Sequence, residues 1–185
     1  MPNPRTICAL VLVVMATVAC GDDPFQVRWE ENPRERILYS LDRDERNRPA
    51  GFEMLTGNTV IIEGPAAIGQ WDFALDRSDG VLALHPPRSM GVTSNAGIAP
   101  LPGADFDEVR EAPADTLAYR TQEPVPLEAG TVYVIRTREQ QGSFGRRCRY
   151  FGKLQPVEID AVAGTFRFIF DTSPDCNNRS LVPPT

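Results

Sequence analysis

Apolar positions fall along this chain in two patterns. Near the start they run together: residues 7–16 are apolar throughout, behind a single charge at Arg5 and ahead of small residues that lead into Cys20. Beyond that point they form short clusters or alternate with polar residues, and turn-forming residues interrupt them roughly every ten positions. A period of two broken by Gly, Pro, Asn and Asp predicts short antiparallel strands rather than helices. Seventeen prolines and fourteen glycines argue the same way, since both interrupt long helices.

The pattern predicts strands over 37–41, over 52–55 and 59–62 around a turn at Gly57 and Asn58, and over 71–75 and 81–85 around Asp79 and Gly80. A C-terminal meander follows, with strands over 132–137, 147–154, 157–161 and 165–170. The last is the clearest, because Phe166, Phe168 and Phe170 alternate with Thr165, Arg167 and Ile169 and give one wholly aromatic face. Such a face belongs in a core or against a ligand. Two stretches resist a strand assignment. Residues 89–103, rich in Gly, Ser, Asn and Pro, read as a long functional loop, and 105–111 as one or two helical turns ended by Pro113. The expected fold is all-β: one sandwich- or barrel-like domain over 36–185.

The early apolar run is shorter than the ~20 residues of a spanning helix and reads as a secretory leader over 1–19. Thr17, Val18, Ala19 and Cys20 resemble a bacterial lipobox, in which the chain is cut before the cysteine and its thiol is acylated; Thr17 stands where that motif prefers Leu, Val or Ile. The alternative is an uncleaved N-terminal anchor, and both end at a membrane surface. Residues 20–35 then form a lipidated tether. Gly21, not Asp, follows Cys20, so the aspartate that retains lipoproteins at the inner membrane is missing and the outer membrane is the expected location.

Cleavage also sorts the cysteines. Cys8 leaves with the leader, Cys20 takes the lipid, and Cys148 and Cys176 remain as a pair that an oxidising envelope joins. Such a bridge stabilises by roughly 3–4 kcal/mol in the chain-entropy view; two free buried thiols are the alternative. No CxxC spacing points to zinc. The processed chain carries 18 basic and 25 acidic residues, a formal charge of −7, which disfavours nucleic acid as a partner.

Candidate chemistry is sparse. His85 is the sole histidine and stands before two prolines; Ser89 or Ser94 can be placed beside it on paper, but no nucleophile motif accompanies them. The expectation is a protein that is not an enzyme. Arg136, Arg138, Arg146, Arg147, Arg149 and Lys153 put six positive charges in eighteen residues, and alternation sets Arg147, Arg149 and Lys153 on one face with Phe151. Arginine beside an aromatic ring suits a planar ligand bearing a carboxylate. A solvated face balanced by Glu139, Glu158 and Asp160 is the plainer reading of the same residues.

Four blocks recur in a fixed order: 38–41 with its Tyr-Ser-Leu core, Trp71 to Leu75, Val132 to Thr137, and 150–155 with 164–168. That order resembles the HmuY-type haem-binding lipoproteins. The resemblance implies an envelope-anchored all-β protein that holds haem or another tetrapyrrole between two axial side chains. The glycine-rich loop of that family is replaced here by residues 91–97, and the tail from Cys176 is an addition, so no ligand residue carries over. On chemistry alone His85 and Met90 are the axial candidates, followed by Tyr150, with Arg147 and Arg149 for the carboxylates. Beside this ligand-binding reading stands a second one, an assembly protein of the envelope that binds another protein through an exposed strand or the 89–103 loop.

Overall fold

A computed structural model describes residues 27–142 and 145–184. The leader, Cys8 and Cys20 lie outside the described residues. The fold is a sandwich of two five-stranded antiparallel sheets. The first contains β1 (Arg34–Tyr39), β6 (Gly97–Pro102), β8 (Thr131–Arg136), β11 (Phe151–Asp160) and β12 (Thr165–Thr172) in the order β1-β12-β11-β8-β6. The second contains β2 (Gly51–Glu53), β3 (Asn58–Val60), β4 (Phe73–Ser78), β5 (Val81–His85) and β7 (Val125–Pro126) in the order β3-β2-β4-β5-β7. A two-stranded ribbon pairs β9 (Gln140–Gln141) with β10 (Arg147–Cys148). Of sandwich and barrel, the sandwich is the architecture formed.

The aromatic face of β12 makes the core between the sheets. Phe166, Phe168 and Phe170 are fully buried, and Phe52 of β2 meets Phe168 and Phe170 edge-on at 5.2 and 4.9 Å between ring centroids. Leu75, Leu84, Ile98, Tyr133 and Leu154 complete the layer from both sheets. Phe151 and Gly152 show how tightly the alternation is enforced. Phe151 points outward, while Gly152 points inward, where a Cβ would sit 2.3 Å from Met54 Cε and 2.7 Å from the Asp171 carbonyl oxygen.

A buried ion cluster ties the sheets together. Asp72, just before β4, accepts from the Met54 amide at 2.8 Å and from the Arg138 amide and guanidinium at 2.8 and 3.1 Å. Glu53 lies 3.6 Å from the same guanidinium and also accepts from the Thr56 hydroxyl. Burial pushes the Asp72 carboxyl above its usual range, and Arg138 with the two amides restrains that rise. Arg138 is therefore a structural cation and not part of any exposed patch.

Several expectations change. The 89–103 loop is half strand: β6 pairs with β8 from Gly97↔Arg136 to Pro102↔Thr131, leaving a 3₁₀ turn at Pro87–Met90 and a short link. Pro100 and Pro102 are tolerated because β6 sits at the end of the sheet order, where a missing amide breaks no second ladder. Residues 105–109 form a single turn, with the Glu108 and Val109 amides donating to the Asp105 carbonyl. The strands expected over 147–154 and 157–161 are instead β10 and the long β11, which continues through Pro156 by a register shift. The fold begins at Arg34, two residues before the expected start.

Replacing Phe168 by alanine should lower the unfolding free energy by about 3–5 kcal/mol, the range for an aromatic lost from a close-packed core. Ile37→Ala, at a position 39% exposed, should cost well under half of that. Urea unfolding of residues 21–185 followed by tryptophan fluorescence would check the contrast; equal costs would contradict the assignment of the core.

Candidate functional site

The outer face of the first sheet is covered over β6, β8 and the start of β11, while Glu35 and Ile37 of β1 stay exposed. Val132 and Val134 of β8, Phe151 of β11 and Ala99 of β6 form a second apolar cluster with Phe106, Val109, Ala112, Tyr119 and Leu181. The last five belong to a cover made of two irregular segments, residues 103–124 and the tail after β12. Backbone bonds hold the cover at its edges. Ile98 and Arg120 exchange amide bonds at 3.0 and 2.9 Å, Ala112 donates to the Arg179 carbonyl, and Leu181 donates to that of Arg110.

At its centre the cover rests on Lys153, the sole lysine of the chain, which is 1% exposed. Its Nζ donates to the Phe106 and Val109 carbonyls at 2.8 and 3.1 Å and lies 4.6 Å from the Phe106 ring centroid. Burial lowers its pKa, opposed by Glu31, Asp107 and Asp171. Lys153 thus departs from the basic surface patch in which the sequence places it. It does share an outward face with Phe151, as alternation requires.

Between cover and sheet edge lies a groove of about 480 Å³. Phe151 and Tyr119 give it flat apolar surface, and Arg136, Arg147, Arg149 and Arg179 bring four guanidinium groups to its lining. The disulfide between Cys148 and Cys176, Cα atoms 5.0 Å apart, holds the tail beside β10. Asn177 reinforces it: the Asn177 amide donates to the Arg149 carbonyl, the Arg149 amide donates to Asn177 Oδ1, and Asn177 Nδ2 donates to the Arg147 carbonyl, at 2.9, 2.9 and 3.1 Å. Arg149 and Arg179 both line the groove as a result.

The four arginines are not equivalent. Arg147 and Arg149 share Glu139, at 3.3 and 2.6 Å, and Arg179 pairs with Glu111 at 2.6 Å. Among the described residues no carboxylate pairs with Arg136. Its guanidinium lies 4.7 Å from the Tyr119 ring centroid and gives one long bond, 3.3 Å, to the Asn95 carbonyl. Burial, then the neighbouring Arg149, disfavours its charge. The Arg149 Nε is buried with no hydrogen-bond partner. Two carboxylates against four guanidiniums leave an excess of two positive charges, with an unpaired cation and an orphaned donor in the same groove. Tyr119 adds no negative charge: burial pushes its phenol up to about 12, and its hydroxyl donates to the Pro113 carbonyl at 3.1 Å.

Of the residues singled out from sequence, the structure brings Arg147 and Arg149 into this groove together with Arg136. His85, Met90 and Tyr150 are not among its lining residues. His85 ends β5 in the second sheet, and Met90 closes the turn after it. Tyr150 precedes β11, its amide and carbonyl both bonded to Thr137. Tyr119 and Arg179 are the residues that sequence reasoning missed. They reach the groove through pairings of 98 with 120 and 111 with 180, for which no local pattern gives a signal. Among the described residues no group of three or more His, Cys, Asp or Glu side chains can hold a metal ion, and no helix is long and apolar enough to cross a membrane.

The architecture defines a class: a disulfide-stapled β-sandwich with an arginine-lined groove under an irregular cover. Set against protein-family models, curated proteins and solved structures, the chain matches none.

Two expectations follow. Lys153→Met leaves the Phe106 and Val109 carbonyls without their donor, so hydrogen exchange should quicken across residues 104–112 while β12 keeps its protection; unchanged exchange in 104–112 would show that the cover does not depend on Lys153. Burial holds His85 below the usual histidine range, with Asp76 and the Arg77 backbone opposing. Its contribution to stability is present above the unfolded pKa of about 6.5 and is lost as pH falls through that value toward the lower folded one. Proton NMR of this single imidazole should give a midpoint below 6.5, and a midpoint at or above it would contradict the burial.

Proposed function

We propose that this chain is a non-enzymatic, lipid-anchored protein of the bacterial envelope whose β-sandwich binds an anionic amphiphile in the arginine groove. The observation that carries this reading is Arg136, a half-buried guanidinium that has no carboxylate partner among the described residues and lies against the ring of Tyr119, with Phe151 as its strand partner on the groove floor. A desolvated cation beside flat apolar surface suits a ligand with a carboxylate or phosphate at one end and an apolar body at the other. The lipobox-like run ending at Cys20 and the joined pair Cys148 and Cys176 support the envelope location.

A tetrapyrrole is one ligand of this kind, and the HmuY-type resemblance suggests it. The residues present fit it in part. The arginines suit propionates, whereas the groove is lined by no histidine, methionine or cysteine to ligate iron, and the Tyr119 phenol is engaged with Pro113. Recognition therefore runs through the carboxylates, and the metal-free ring should bind as well as the iron-bearing one.

Titrating residues 21–185 with haemin and with metal-free protoporphyrin tests this. Both should quench tryptophan fluorescence saturably at one equivalent. Arg136→Gln should weaken each about tenfold, the order expected for one charge-assisted contact, and His85→Ala and Met90→Ala should bind as the parent does. A haemin Soret shift abolished by His85→Ala or Met90→Ala would move the site to the second sheet. Unsaturable responses to both compounds would remove tetrapyrroles from the reading.

A further inference from the structure

The chain enters β1 at the end of the first sheet that carries the groove. Asn32 donates its amide to Asp171 Oδ2 at 3.0 Å, on the outward face of β12, and Asp171 is the strand partner of Lys153. Phe151, on the groove floor, lies two positions from Lys153 on the same face, about 7 Å along the strand. The pairings Arg34↔Phe170, Gly152↔Thr172 and Phe151↔Arg136 put the start of β1, the end of β8 and the groove at one end of the first sheet. Only eleven residues separate Asn32 from Cys20, and twelve extended steps reach roughly 40 Å at most. An anchor at Cys20 would thus attach to the molecule at the sheet end that carries its uncompensated arginines.

Resting on the reading that Cys20 is lipidated and that the groove takes an anionic amphiphile, we propose that the occupant is the phosphate of a bilayer lipid headgroup: the sandwich lies with its groove end on the membrane that anchors it. The phosphate sits at Arg136 and the Arg149 Nε, its charge meeting the excess that Glu139 and Glu111 leave. Glycerol and upper acyl carbons rest on Phe151 and Tyr119. A membrane source is favoured over a dissolved one by position, since the tether keeps the groove within reach of headgroups at all times, as a high local concentration of weak ligand.

The test uses residues 21–185, which contain every element of the fold but no lipid, so that the anchor cannot bind vesicles by itself. Sedimentation is measured with sucrose-loaded vesicles of phosphatidylcholine, alone or with about one third phosphatidylglycerol, the anionic lipid supplying the surface potential. The expected result is binding to the anionic vesicles alone, reduced about fivefold by Arg136→Gln and by Arg149→Gln, the order for one basic residue at an anionic surface. Glu139→Gln should strengthen binding to the anionic vesicles and leave sedimentation with phosphatidylcholine alone unchanged, whereas an aggregating variant would pellet with both. Equal binding to both vesicle types, or binding that neither arginine variant weakens, overturns the proposal. Saturable binding of soluble glycerol phosphate without vesicle binding also overturns it, in favour of a dissolved phosphate. If vesicles fail while protoporphyrin still binds through Arg136, the membrane inference falls and the groove reading stands; if both fail, both fall.

Discussion

The arrangement of the outer half of this molecule depends on one buried ammonium. Among the described residues Lys153 has no carboxylate within hydrogen-bond distance; it is held by two backbone carbonyls and an aromatic ring, all belonging to the cover. An ammonium taken out of water is costly unless its donors are satisfied, so the strand beneath and the segment above must find each other. The carbonyls of Phe106 and Val109, in turn, have this cation as the partner that an irregular buried segment otherwise lacks. That mutual requirement lets 103–124 lie over a sheet to which it is otherwise bridged at Ile98 and Arg120. The edge of that segment, at Pro113 to Tyr119, then becomes one wall of the groove.

Two groups of arginine contrast within a short distance along β8 and its continuation. Arg138 is enclosed by Asp72 and Glu53, bonded by both backbone and side chain, and serves to lock the sheets. Arg136, the last residue of β8, instead lies against Tyr119 of the cover, is desolvated there and pairs with no acid among the described residues. Their surroundings, not their type, separate a structural cation from a candidate ligand site. The orphaned Arg149 Nε belongs to the second kind, because Glu139 accepts only from Nη2 of that guanidinium.

How far sequence reasoning reaches follows from which of these contacts are local. The alternation of Phe166, Phe168 and Phe170 fixes both the face and the depth of β12, since a period of two has only one way to bury three rings. The pairing of Cys148 with Cys176 is legible for a different reason: reading Cys8 as part of a leader and Cys20 as a lipid site leaves no other partner. β6 was hidden because its Gly, Pro and Ala residues carry turn chemistry, and only its place at the edge of the sheet makes them acceptable in a strand. Pro156 concealed the unity of β11 in the same way, being accommodated by a register shift that no residue spacing announces. Lys153 was assigned to the surface because lysines are rarely buried, and the carbonyls that bury it lie 44 and 47 residues away. The candidate site was half legible: arginines on the strands were visible, and the residues supplied by the cover were not.

The disulfide joins these strands of argument. The tail after β12 has little regular structure to hold it, yet it delivers Asn177 and Arg179 to the groove and Leu181 to the outer cluster. Its fixed points are the bond from Cys176 to Cys148, the three hydrogen bonds of Asn177 with 147–149, and the short pairing with residues 110–112. Without the covalent link, that segment would have to be ordered by a few exposed hydrogen bonds against the entropy of about a dozen residues. The groove is therefore a feature that an oxidising compartment helps to build, in keeping with the envelope location proposed for this chain.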